Sequence, residues 1–119
     1  MSNNASKNVL WSELTCKCGC GTMNVSSEAI AKLQAMRDLL GPLTILSAAR
    51  CPAHNKKVGG ATKSKHLSTS TSPSVAFDIA LKNYSAGALI EAATAVGFKG
   101  IGVYKTFIHV DDRSTKARW

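Results

Sequence analysis

An α+β fold, with a small antiparallel sheet and helices packed on it, is predicted by three observations. Two stretches, about 27–40 and 86–96, carry apolar residues at helical spacing. Four short apolar runs, two between these helices and two after the second, read as strands. The resulting order of helix, strand, loop, strand, helix, strand, strand contains no repeated βαβ unit. The 119 residues suit one domain with one core.

Residues 1–8 read as a flexible polar tail, leaving 9–119 as the single domain. Val9 to Leu14 is a short apolar lead-in, and the Cys/Gly segment 16–22 is loop. Ser26 or Ser27 supplies an N-cap, and Glu28 complements the helix dipole. Ala29, Ile30, Leu33, Met36, Leu39 and Leu40 then form the apolar side of the first long helix, which Gly41-Pro42 stops. The run from Leu43 through Ala49 reads as a buried strand. Pro52 opens a short helical turn through Lys57, and Val58 to Ala61 is a tight loop. Residues 67–74 are a Ser/Thr-rich loop, and Val75 to Leu81 returns to strand. Ser85 caps the second long helix, which ends at Gly97. Lys99 to Tyr104 and Thr106 to Asp111 form two last strands around a turn at Lys105. Trp11 and Trp119 read as core or terminal anchors.

Composition narrows the function. With 45% hydrophobic and 18% charged residues the chain belongs with globular rather than disordered proteins. No apolar run approaches the roughly 20 residues that span a bilayer, so no membrane insertion is expected. The first eight residues lack the apolar stretch of a secretory signal. Synthesis in a bacterial host cytoplasm, with delivery by other means, is the expectation. The net charge of +8 favours anionic partners. The basic residues, Lys63 among them, are scattered without aromatic interleaving, so no dedicated nucleic-acid face is indicated.

The chemistry concentrates in three residues. Asp78 sits in Val-Ala-Phe-Asp-Ile, where a carboxylate is expensive unless paired or metal-bound. His109 sits in Phe-Ile-His-Val-Asp, where alternation puts Phe107, His109 and Asp111 on one strand face. His66 comes from a loop before the Asp78 strand. Two imidazoles and one carboxylate are a ligand set of catalytic zinc, which keeps a position open and lowers the pKa of water to about 7. His54 reads as either a cleft residue or a surface residue.

Cys16, Cys18 and Cys20 lie in Cys-Lys-Cys-Gly-Cys, too compressed for an ordinary zinc ribbon. Three readings fit them: free thiols, a disulfide from one of them to Cys51, or a metal clip with Cys51 and His54.

The strings Leu-Ser-Ala-Ala-Arg-Cys-Pro-Ala-His-Asn, Val-Gly-Gly-Ala, Ser-Lys-His-Leu, Ala-Phe-Asp-Ile, Gly-Ile-Gly-Val-Tyr and Phe-Ile-His-Val-Asp follow in that order. Together they resemble the zinc D-Ala-D-Ala carboxypeptidase family, which has the hedgehog/DD-peptidase fold and includes many phage endolysins. The likeness covers about residues 9–119. It implies that His66, Asp78 and His109 bind Zn²⁺, and that Arg50 holds a substrate carboxylate or a developing oxyanion. It also implies that Ser64 contacts substrate or supports the site. Tyr104 is a further candidate for the cleft wall.

Two departures stand out. Eleven residues, Leu67 through Phe77, separate His66 from Asp78, more than the family commonly has. The position three before His109, where many members carry Glu or Asp, is Thr106. Asp111 is the nearest carboxylate, and two roles are open to it: moving protons at the metal-bound water, or orienting a ligand; Asp112 is expected to point away into solvent.

The resemblance implies a zinc metallopeptidase that hydrolyses a bond in the peptidoglycan stem peptide, acting in the periplasm or cell wall as a monomer. A phage lysis enzyme and a virion-associated lysin, the latter with phage virion proteins as partners, both fit. The missing acid at Thr106 motivates an alternative: an inactive metal-stabilised structural or wall-binding module of a phage particle. A nucleic-acid binder built on the cysteines leaves the His/Asp constellation unexplained.

Overall fold

In the computed structural model, which describes residues 4–61 and 64–119, the polypeptide begins with a hairpin. Strand β1 (Asn4–Ser6) pairs antiparallel with β2 (Val9–Leu10). Residues 4–6, part of the polar tail expected from the sequence, thus form a strand; residues 1–3 lie outside the described residues. Gln34 fastens the hairpin, because its Oε1 accepts from Ser6 Oγ and from the Asn8 N–H, each at 2.7 Å. Ala5 packs against the core and Val9 enters it. A single turn, α1 (Trp11–Leu14), follows.

Helix α2 (Ser27–Leu40) starts where Ser26 Oγ accepts from the Ala29 N–H, and stops at Gly41 with φ 101°. Ala29, Ile30, Leu33 and Met36 are buried, whereas Leu39 is 61% exposed and leaves the expected apolar face. The expected strand over 43–49 shortens to β3 (Ile45–Ser47), with an irregularity in its pairing between Ile45 and Ser47. Pro52 opens α3 (Pro52–Lys57), with Cys51 as N-cap. Strand β4 (Ala76–Ala80) leads to α4 (Ala86–Val96), capped by Ser85 and ended by Gly97 in the left-handed conformation. Strands β5 (Gly100–Val103) and β6 (Phe107–Asp111) form the expected hairpin, and β7 (Ala117–Arg118) adds an unexpected edge.

The five strands run in the order β3-β4-β6-β5-β7. All neighbours are antiparallel except β5 and β7, so the small sheet is mixed. Helices α2 and α4 pack together. Phe77 and Ile79 of β4, with Ile108 and Val110 of β6, fill the core alongside Leu33, Met36 and Leu89. Full burial of each such side chain is worth about 1.5–3 kcal/mol. Phe77 and Phe98 meet edge to face with centroids 6.1 Å apart. This is the α+β architecture the resemblance implies. No helix among the described residues is long and apolar enough to cross a membrane.

The core faces of β4 and β6 dictate where their polar residues go. With Phe77, Ile79, Ile108 and Val110 turned inward, Asp78 and His109 take the opposite face. The register pairs Asp78 directly with His109. Two chemical groups 31 residues apart are thus neighbours by strand pairing alone.

Candidate metal centre

His66 reaches this face from a loop held on both sides. The Arg50 N–H donates to the His66 carbonyl at 2.8 Å, and the Ser68 N–H donates to the Arg50 carbonyl at 2.8 Å. The segment around Arg50 therefore lies beside the segment carrying His66. Ser64 Oγ accepts from the His66 N–H at 3.1 Å and tightens the approach. The long stretch between His66 and Asp78 does not disturb the site, because it is tied down elsewhere. Ser68 Oγ and the Ser74 N–H both donate to the Asn24 carbonyl, and the Ser26 N–H donates to the Ser74 carbonyl.

Each imidazole is oriented by the nitrogen that faces away from the site. His66 Nδ1–H donates to the Ala48 carbonyl at 2.7 Å, leaving Nε2 at 3.0 Å from Asp78 Oδ1. His109 Nε2–H donates to Asp111 Oδ2 at 2.7 Å, leaving Nδ1 at 3.2 Å from the same Asp78 oxygen. With those two protons committed elsewhere, two nitrogen lone pairs and a carboxylate oxygen converge, their donor atoms all within 4.8 Å of one another. Such a cluster of acceptors is stable only around a cation or shared protons. The donor set of two imidazoles and one carboxylate, each ring fixed from behind, fits Zn²⁺.

The electrostatics agree. Burial alone would raise the Asp78 pKa, but in the metal-free fold, where the site-facing nitrogens share protons with it, hydrogen bonds from His109 and His66 outweigh burial and hold the carboxyl at about 2. Burial would lower the His109 pKa, yet Asp111 and Asp78 together raise it above the ordinary value. The pocket thus favours positive charge at its centre.

Asp111 occupies a different position from the one expected of a proton-transfer group. It is fully buried, with Oδ2 engaged by His109 Nε2 and by Arg113 Nη2, each at 2.7 Å. Its Oδ1 accepts from Arg113 Nε at 2.7 Å and from the Arg113 N–H at 3.2 Å. Burial works to raise its pKa, but Arg113 and His109 hold it far below the usual carboxylate range. With both oxygens occupied and no exposed edge, Asp111 is built to orient His109. Asp112 turns the other way, as alternation requires, but pairs with Lys32 rather than standing free in solvent.

A cleft of about 470 Å³ opens over the three ligands. Arg50 enters it with its guanidinium held at three points. Nη2 lies 3.3 Å from Asp78 Oδ2, Nη1 donates to Asn55 Oδ1 at 3.3 Å, and Nε donates to Ser47 Oγ at 3.3 Å. Ser64 and Tyr104 also line the cleft. Tyr104 stacks on Phe107 with centroids 4.6 Å apart and accepts from Trp119 Nε1 at 2.8 Å.

Several contributors escape the sequence reading. Asn55 is buried, and besides holding Arg50 it donates to the Ala61 carbonyl at 2.9 Å. Gly60 makes room for it, since a Cβ there would lie 2.1 Å from Asn55 Oδ1. The His-Asn and Val-Gly-Gly strings were the available signal. Trp119 is not a core residue: it is 48% exposed, lines the cleft, and lies 5.2 Å from the His109 ring. Arg113 stacks on it, 4.9 Å from the ring centroid. Gly102 provides the space, because a Cβ there would strike the indole. Among the described residues, His54 joins neither the cleft lining nor a ligand cluster, and its Nδ1 is buried without a hydrogen-bond partner.

No curated protein matches the chain in sequence. Residues 7–111, however, match the model of the family described as Peptidase M15. That match spans most of the sequence and contains all three ligands. The chain therefore belongs to the Peptidase M15 family, as a zinc-dependent peptidase for peptidoglycan-related substrates whose ligand set is His66, Asp78 and His109.

Proposed function

We propose that the chain cleaves a stem-peptide bond close to a free carboxylate, and that it serves as a phage lysis enzyme or virion-associated lysin. The observation that carries the substrate reading is Arg50, fixed by Ser47 and Asn55 with its guanidinium beside Asp78. A fork-shaped cation held next to the ligand cluster suits a carboxylate or an oxyanion. Lys65 adds positive charge to the cleft wall, while Asp78 is the sole acidic side chain among the described lining residues. An anionic peptide is the substrate this charge pattern attracts.

When bound by His66, Asp78 and His109, Zn²⁺ supplies Lewis acidity toward a carbonyl oxygen and an acidified water. The protein's own groups do the rest. Asp111 keeps His109 Nε2 protonated and so directs Nδ1 toward the site. The Ala48 carbonyl does the same for His66. Arg50 binds the negative charge of substrate. Tyr104 accepts from Trp119, which leaves its own hydroxyl proton available to a substrate oxygen. Ser64 sets the loop that carries His66. The resemblance to phage endolysins and the basic balance of the chain support the lysin role, which would entail action in the periplasm or wall.

The test is mass spectrometry of purified peptidoglycan digested by the zinc-loaded protein. The expected result is one new class of stem-peptide ends, with cleavage falling next to a residue that bears a free carboxylate. Arg50→Ala is expected to reduce cleavage sharply, and amidating that carboxylate to mimic the loss in the wild type. Zinc binding with no new ends at all would leave only the structural-module alternative.

A further inference from the structure

The cysteines gather at a second point, outside the cleft. Cys16, Cys18 and Cys20 come from the loop after α1, and Cys51 is the residue that caps α3. Their four Sγ atoms all lie within 4.8 Å of one another. The separations are 3.4 Å for Cys16–Cys18, 3.6 Å for Cys18–Cys51 and 3.9 Å for Cys16–Cys51. Four sulfurs about 2.3 Å from a tetrahedral zinc would stand about 3.8 Å apart. A disulfide would instead bring one pair to about 2.05 Å and leave the other two sulfurs without a role.

From this arrangement we infer a second metal site, a closed tetrathiolate that takes Zn²⁺ through Cys16, Cys18, Cys20 and Cys51. The loop is shaped for it. Gly19 (φ 85°) and Gly21 (φ 83°) flank Cys20 in the left-handed region, and neither would meet an atom within 4 Å if given a Cβ. They are there for backbone direction rather than for space, and they bend the chain so that three closely spaced cysteines converge. The Cys16 N–H donates to the Thr22 carbonyl at 2.7 Å and closes the loop. Two further backbone donors point at sulfur: the Cys51 N–H at Cys16 Sγ and the His54 N–H at Cys51 Sγ, each at 3.4 Å. These contacts fix the Cys16 and Cys51 sulfurs from the backbone side. The compressed Cys-Lys-Cys-Gly-Cys spacing ceases to be an obstacle, because all three of its sulfurs join one site and the fourth ligand arrives from Cys51.

The site has a structural consequence for the cleft. Cys51 follows Arg50, and the Ala49 N–H donates to the Leu14 carbonyl at 3.0 Å, just before the cysteine loop. A metal bound there clamps the strand-to-helix segment that delivers Arg50. With four protein ligands it has no open position, so its role is to hold structure.

The experiment is metal analysis of the full chain purified under reducing conditions. Two zinc ions per chain are expected. Cys18→Ser combined with Cys20→Ser should leave one, and His66→Ala should leave the other. Cobalt substitution of the wild type provides a readout that needs no variant: thiolate ligation gives an intense sulfur-to-cobalt charge-transfer band, which imidazole and carboxylate ligands do not. One zinc per wild-type chain with no such band would overturn the inference. So would an intact mass showing cysteines joined as disulfides in the reduced preparation. Neither result touches the His/Asp/His centre, whose failure would appear as loss of the zinc that His66→Ala removes.

Discussion

Among the described residues, two clusters of side chains are suited to holding a metal, and they are built in opposite ways. The His66/Asp78/His109 cluster stands largely on the sheet, with two of its donors facing each other across the β4–β6 register. Its nitrogens are aimed by groups behind them, the Ala48 carbonyl and Asp111. The cysteine cluster stands on a loop and a helix cap, with little regular structure around it. Its donors are aimed by glycine turns instead. The first offers three ligands and an open cleft; the second offers four sulfurs that would complete the shell of one ion. Rigid strands support a site that must keep a vacancy without collapsing. A closed site needs no such scaffold, because the ion itself completes the structure.

The sharpest way to break the comparison is to remove one donor from the sheet site. His66→Ala or Asp78→Ala is expected to abolish peptidase activity and the associated zinc while leaving the cysteine site loaded. Release of amino groups from peptidoglycan, measured beside zinc content, checks both halves. The next largest effect is expected from Asp111→Asn. It weakens the acceptor for His109 and leaves Arg113 without its charge partner, for a stability loss of about 3 kcal/mol and a loss in zinc affinity of roughly 10- to 100-fold. Denaturant melts and competition with a chelator read the two effects separately.

Arg50→Lys sharpens the substrate side. It keeps the charge but loses the fork that Ser47, Asn55 and Asp78 hold in place. A fall in kcat/KM of about 10- to 100-fold is expected, on the scale of one charge-assisted hydrogen bond, with zinc content unchanged. Gly60→Ala should act on the same arginine, by displacing Asn55 and crowding Arg50 Nη1, and with a smaller effect. Steady-state kinetics at a fixed zinc load distinguishes both from a metal defect.

Acid supplies the mildest perturbation. Burial lowers the His109 pKa, but Asp111 and Asp78 raise it further, so the metal-free fold holds its proton above the ordinary value. That contribution is fully present below the unfolded pKa and is lost as pH rises through the folded one. Zinc needs the neutral ring, so its own contribution runs the other way and shrinks as pH falls. Asp78, held at about 2, stays ionised throughout. The gap in Tm between zinc-loaded and metal-free protein is therefore expected to narrow on acidification, beginning above the ordinary histidine pKa of about 6.5. Paired thermal melts across that range check the sign.

Much of this molecule was legible in the sequence because its signals are local. Ser26 and Ser85 announce α2 and α4, while Gly41 and Gly97 end them. Alternation in β4 and β6 put Asp78 and His109 opposite the core, and the motif order supplied His66. What escaped depends on contacts between distant segments. Nothing near residues 4–10 signals that Gln34 will fasten a hairpin there. The parallel pairing of β7 with β5, which swings Trp119 onto His109, has no local trace. Asp111 shows the limit most clearly: its strand face was correctly inferred, but not that Arg113 would occupy both of its oxygens. Face tells where a side chain points; role depends on what it meets there.

The most direct test strips the protein with a chelator and returns zinc stepwise while amino-group release from peptidoglycan is followed. The account expects activity to vanish on stripping and to return with zinc in the wild type, and never to return in His66→Ala. Cleavage that persists in the metal-free protein, or that zinc restores to His66→Ala, would contradict it.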